Sequence, residues 1–221
     1  MKFNKKKTTV TALVVAALAL ISTSSLAWFS AKDEVKNKFY ITNSETNKPD
    51  DIFSIDVWEQ KDTNNDGDFN EPGDKDYANE LNYTDILPGD TLSKIAHVKN
   101  TGHFDQYVRV TVTISDASAW IDTNSSIDMA DVFDGFVASD WTNTSKTVDG
   151  DKVTYVLYYN KTLASQGDIT VFTGVKIPTA LTQDHAAAFN GTFNIDVLAE
   201  AVQTENVGSN AYEAFQTVYG N

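Results

Sequence analysis

Residues 86–114 read Ile-Leu-Pro-Gly-Asp-Thr-Leu-Ser-Lys-Ile-Ala-His-Val-Lys-Asn-Thr-Gly-His-Phe-Asp-Gln-Tyr-Val-Arg-Val-Thr-Val-Thr-Ile, and they decide the fold. Pro88 pre-sets φ and Gly89 accepts a positive φ, so Pro88-Gly89-Asp90 is a turn. Asn100-Thr101-Gly102 is a second turn. Beyond it, Val108, Val110, Val112 and Ile114 alternate with Tyr107, Arg109, Thr111 and Thr113. That period of two marks a strand with one buried face. The stretch is turn, strand, turn, strand.

Further runs share that period. Phe53, Ile55 and Val57 alternate with Ser54 and Asp56 within 52–59, and 153–159 is a compact apolar run. Ile169, Val171, Thr173, Val175 and Ile177 alternate up to Pro178, and Phe193, Ile195, Val197, Ala199 and Ala201 form the last long strand. Polar loops separate these runs and no βαβ alternation appears. The spacing predicts an all-β protein with short helices, an antiparallel β-sandwich of jelly-roll-like build. The short helices are expected within 129–137, within 184–189, and after Ser209 or Asn210, whose side chains suit a helix start. Trp120 and Trp141 should pack the polar excursion 116–150 onto the sheet.

The chain has 221 residues and no cysteine, which excludes disulfides, thiolate metal sites and thiol catalysis. A hydrophobic share of 41% with 11% aromatics belongs to a folded domain rather than a disordered chain. With 31 acidic against 17 basic residues the formal charge is −14. Such a surface repels nucleic acid and anionic membrane, and attracts divalent cations or basic partners.

The N-terminus has the three parts of a secretory signal: Lys5-Lys6-Lys7, an apolar run from Ala12 to Ile21, and the small residues of Ser25-Leu26-Ala27. The run falls short of the roughly 20 apolar residues of a spanning helix. Cleavage is expected between Ala27 and Trp28. A secreted chain then begins with an arm, 28–50, ahead of a single domain, 51–221. Residues 1–27 carry four lysines and no acid, so their loss takes the charge to −18.

Two stretches invite a metal. Asp62, Asn64 and Asp66, with Gly67 in sixth place, match the start of an EF-hand-type loop, where alternating oxygens wrap a hard cation. The twelfth place is Gly73 rather than Glu, so Asp74 or Glu71 would have to supply the bidentate carboxylate. The expected calcium ligands are Asp62, Asn64, Asp66, Asp68 and Asp74; the alternative is a solvated acidic hairpin loop. His97 and His103 flank a turn beside Asp105, a set that would suit zinc if it met, although exposed turn histidines are the simpler reading. His185 has no partner one helical turn on. No His-Glu-x-x-His motif, Gly-x-Ser-x-Gly elbow or Gly-rich phosphate loop occurs, so no enzyme is expected. Arg109, the sole arginine, lies on the face opposite Val108 and Val110, where an ion pair is the default reading.

Three segments in order resemble the TasA/camelysin family of secreted Gram-positive proteins. They are the Ala27-Trp28-Phe29-Ser30 junction, similar to those cut by signal peptidase W; Leu87-Pro88-Gly89-Asp90 with Lys94, Val98-Lys99-Asn100-Thr101-Gly102 and Val108-Arg109-Val110; and Phe193 to Gln203. Residues 116–150 and the acidic loop carry no part of it. The resemblance implies an exported jelly-roll domain that builds extracellular biofilm-matrix fibres, with itself and other matrix components as partners. In such fibres an N-terminal strand, freed by signal removal, completes the sheet of the next subunit. A donated strand gives main-chain hydrogen bonds to an open edge, and a head-to-tail contact that does not close makes a filament. The corresponding donor here is 28–41, anchored by Phe29, Val35, Phe39 and Ile41. The family also implies an alternative, a camelysin-like surface metallopeptidase. A monomeric calcium-binding surface protein is a third reading.

Overall fold

The computed structural model describes residues 30–34, 53–62, 75–77, 83, 85–123, 126–182, 184 and 193–220. Its strands are Ser30–Glu34 (β1), Ile55–Lys61 (β2), Lys75–Tyr77 (β3), Thr91–Asn100 (β4), Gln106–Ser115 (β5), Phe133–Asp134 (β6), Trp141–Asp149 (β7), Lys152–Tyr159 (β8), Asp168–Lys176 (β9) and Asn194–Gln203 (β10). Among the described residues three α-helices accompany them: Ser118–Ile121 (α1), Met129–Val132 (α2) and Ala211–Tyr219 (α3). Two five-stranded sheets form, β1-β10-β5-β8-β7 and β3-β2-β4-β9-β6, and every pairing is antiparallel. The chain changes sheet between β1 and β2, β4 and β5, β5 and β6, β6 and β7, β8 and β9, and β9 and β10, as in a jelly roll. The fold is the sandwich that the alternation predicts.

The alternation also explains the core. Val108, Val110, Val112 and Ile114 of β5 are buried, and so are Val197, Ala199 and Ala201 of β10, Val153, Tyr155 and Leu157 of β8, and Val98 of β4. Phe133 stacks on Phe172 with ring centroids 4.4 Å apart. Trp120 and Trp141 are buried in the same cluster, but the second half of the expected 116–150 excursion is itself β7, an edge strand of the first sheet that the polar composition of 141–149 concealed. Tyr155 donates its hydroxyl to the Ile127 carbonyl. Burial, and then the charges of Asp128 and Asp131, push its ionisation upward.

The helix expected within 129–137 is shorter than that span. It ends at Val132, and Phe133 leaves it to pair with Val175 as β6. An aromatic side chain that can fill the core beside Phe172 outweighs another turn of helix. The expected helix at 184–189 lies outside the described residues apart from Asp184.

Both turns of the 86–114 stretch are built by side chains. Asp90 N–H donates to the Leu87 carbonyl at 3.1 Å, and Asp90 Oδ2 accepts from Leu87 N–H at 2.7 Å. Gly89 sits at φ 89°, the left-handed region that the turn requires. In the second turn Asn100 is fully buried. Its Nδ2 donates to the carbonyls of Phe104 and Leu163 at 2.8 and 2.9 Å, and its Oδ1 accepts from Gly102 N–H at 2.9 Å. One asparagine therefore ties the β4–β5 crossover to the segment ahead of β9.

The far edge of the first sheet is β7, whose pairing with β8 breaks at a bulge between Thr142 and Ser145.

Candidate assembly edge at β10

The first sheet is organised around β10. On one side it pairs with all of β5, from Asn194 opposite Ser115 to Gln203 opposite Gln106. On the other it pairs with β1: Ser30 opposite Val202, Ala31 opposite Ala201, Lys32 opposite Glu200, Asp33 opposite Ala199 and Glu34 opposite Leu198. The start of the expected arm is therefore the outermost strand of its own sheet. The anchors Phe29, Val35, Phe39 and Ile41 lie outside the described residues, as do Ala27 and Trp28.

Opposite residues of an antiparallel ladder share a face. Ala199 and Ala201 face the core, so Ala31 and Asp33 stand at core-face positions, and Lys32 stands with Glu200 on the outer face. Outside that face lies α3, covering Tyr107, Tyr158 and Val202 with Ala211, Ala214 and Phe215 in a second apolar cluster. Arg109 pins it down. Its Nε and Nη2 donate to Glu200 Oε2 at 2.9 and 2.7 Å, and its guanidinium lies 4.5 Å from the Phe215 ring centre and 5.4 Å from that of Tyr219. Burial works against the Arg109 charge, but Tyr158 and Glu200 outweigh it and hold the group above its ordinary value. The ion pair expected of Arg109 is present.

The start of α3 is capped as the sequence predicts. Asn210 Oδ1 accepts from Glu213 N–H at 3.0 Å, while Glu213 Oε2 accepts from Ser209 N–H at 2.9 Å and from its hydroxyl at 2.7 Å. This is a variant of the capping box, in which the glutamate reaches the residue before the cap. Gly208, at φ 145°, allows it, because a Cβ there would lie 2.7 Å from that of Glu213. The Ser209 N–H and then its hydroxyl hold the Glu213 carboxyl below its ordinary 4.5. A depressed pKa stabilises the fold above the unfolded value, and that contribution is lost as pH falls through the folded value. Glu213→Gln should therefore be less stable than the parent near neutral pH, and the gap should close once pH drops below about 4.5. Thermal melts at stepped pH read this directly; a gap independent of pH would contradict it.

Beneath β10 and β1, across the core, runs β2. Its inward residues are Ile55, Val57 and then Glu59, which is 1% exposed and paired with the equally enclosed Lys94. Glu59 Oε1 accepts from Lys94 Nζ, whereas Glu59 Oε2 is buried with no hydrogen-bond partner. Glu59 is one of the interior polar groups that sequence reasoning missed, as is Gln106, fully buried with Oε1 unpartnered. The signal was there: Glu59 continues the inward parity of Phe53, Ile55 and Val57.

Of the expected calcium ligands, Asp62 alone falls within the described residues. Asp62 is buried and its N–H donates to Ser93 Oγ at 2.9 Å, while Asn64, Asp66, Asp68 and Asp74 lie outside the described residues. His103 is exposed in its turn and Asp105 accepts from Ser165 N–H. His97 instead meets Asp168, its Nδ1 2.9 Å from Oδ1, and stacks on Trp58 with centroids 4.0 Å apart. Trp58 Nε1 donates to the other oxygen of Asp168 at 3.1 Å. Strand parity separates the pair expected at the turn: His97 lies on the outer face of β4, and its nearest acid comes from β9. His97 Nε2 is buried without a hydrogen-bond partner, so the pair lacks the hydroxyl that a nucleophilic relay activates. Among the described residues no group of three or more His, Asp or Glu side chains is placed to hold a metal ion.

No family model, curated protein or solved structure matches this chain.

Proposed function

We propose that the chain is an exported structural subunit that polymerises by donating its N-terminal strand to β10 of the next copy. One observation carries this reading. The long, core-lining strand β10 has as its outer partner the short strand β1, which begins three residues beyond the expected export junction. An edge strand near a free chain end is the cheapest element to exchange between identical copies, because cis and trans pairing use the same main-chain groups. The acidic surface suits a protein that works outside the cell, where cations screen its charge. On this reading the chain is a building block rather than an enzyme, and biofilm matrix is its setting.

The test is electron microscopy and sedimentation of the protein secreted by a Gram-positive host, beside a variant lacking residues 28–41. The parent should form filaments and the variant should remain a soluble, folded monomer. Adding a peptide of residues 28–41 should then stabilise the variant by filling its β10 edge. Filaments from the variant lacking 28–41 would refute the proposal.

A further inference from the structure

A cavity of about 260 Å³ opens where α1, α2 and the end of β9 meet. Trp120, Ile177 and Pro178 form its apolar wall, and Ser126, Asp131 and Thr179 bring polar groups to it. Sites for drug-sized ligands run to roughly 300–1,000 Å³, so this one suits a single side chain. The wall is set before anything enters. Trp120 is 1% exposed, its Nε1 donates to the Lys176 carbonyl at 3.0 Å, and Phe193 meets its ring edge-on with centroids 4.9 Å apart. With its N–H satisfied, the indole has only apolar surface left to offer.

Charge is unevenly matched around the cavity. Lys176, the cation of its lining, donates from Nζ to the Ala130 carbonyl at 3.1 Å and lies 3.4 Å from Asp134 Oδ1. Asp128 is paired with Lys146. The exposed carboxylate of Asp131 has no hydrogen bond or ion pair among the described residues. The negative field reaches the core, where burial and then the charges of Asp128 and Asp131 push the Tyr155 ionisation upward.

We propose that this cavity receives one lysine or arginine side chain of a basic partner protein. The aliphatic stem lies along Trp120, Ile177 and Pro178, and the cationic head reaches the Asp131 carboxylate, with the Ser126 and Thr179 hydroxyls as further acceptors. An anion would meet Asp131, and a neutral apolar side chain would cover part of that carboxylate without pairing it. With 31 acidic against 17 basic residues, the whole surface steers basic partners inward. The cavity gives that diffuse attraction one point of registry. No described residue of β1 or β10 lines the cavity, so strand donation and this contact can fail separately.

The test is a titration of the secreted full-length protein with blocked alanine peptides carrying a central lysine, arginine or norleucine. The Trp120 indole N–H and the Asp131 and Thr179 amide signals are followed in proton–nitrogen NMR spectra. The lysine and arginine peptides should shift these signals to saturation, and the norleucine peptide should bind about tenfold more weakly or worse. Asp131→Asn should weaken the lysine peptide about tenfold with the melt unchanged, and so should Thr179→Phe, which closes the mouth from an exposed position. Glu205→Gln removes the same charge beyond Gln203, at the opposite end of β5 from α1, and should weaken binding less than about twofold. Equal losses in Asp131→Asn and Glu205→Gln would leave only diffuse attraction and overturn the site. Equal binding of the norleucine peptide, or no shift at Trp120, would overturn it as well. n-Butylammonium binding as tightly as the lysine peptide would make the ligand a small amine and overturn the partner protein.

Discussion

Arg109→Ala is expected to destabilise the domain by about 1.5–3 kcal/mol, the range for losing hydrogen bonds to a charged group. Glu200 would keep its charge between β5 and α3 with no guanidinium against it. The rings of Phe215 and Tyr219 would lose the cation they lie against, a contribution of about 1 kcal/mol. Urea denaturation followed by intrinsic fluorescence measures the loss, and amide exchange should show α3 opening before the sheets do. The double variant Arg109→Met/Glu200→Leu should recover part of the stability, because it replaces both desolvated charges with apolar side chains of similar volume. A single variant within about 0.5 kcal/mol of the parent, the range of an ordinary surface substitution, would show that α3 is held by its apolar face alone.

The second large effect is expected at the interior pair beneath β10. Lys94→Met removes the ammonium that donates to Glu59 Oε1 and leaves a carboxylate that is 1% exposed, its Oε2 already without a hydrogen-bond partner among the described residues. The expected loss is about 3–5 kcal/mol at neutral pH. Lys94→Met/Glu59→Leu should return to within about 1–2 kcal/mol of the parent or exceed it, since a well-packed apolar pair of similar volume replaces two desolvated charges. Equal stability of the single and double variants would mean that water, rather than Lys94, satisfies Glu59.

The strands were legible because one physical cause, burial of one face, acts locally and repeats every second residue. That rule located β4, β5, β8, β9 and β10 nearly to their ends, and it placed Arg109 on the outer face. It failed where tertiary contacts override local preference. Phe133 abandons a helix for the core, and His97 finds its acid on β9, a long way off in sequence from the neighbouring Asp105. Asn100 shows a third limit. Its Asn-Thr-Gly context marks a turn, but its role as a buried three-bond hub depends on Leu163, brought alongside only when the sandwich closes. Glu59 was legible in its parity and was passed over because a charged residue at an inward position contradicts the usual reading of a strand end. The acidic loop and the anchors of the arm lie outside the described residues, so their reading still rests on sequence spacing alone.

The bulge at Thr142–Ser145 bears on the architecture of any polymer. Beyond it β7 carries Lys146, paired with Asp128, and a bulged, charged edge is a poor template for another strand. The two edges of this sheet are therefore unequal: one built to be filled, the other built to be refused. A subunit with one arm to give and one edge to receive has a valence of two. If the proposed strand donation holds, its polymers are expected to be linear and unbranched and to grow at their ends, with a free arm peptide acting as a chain terminator.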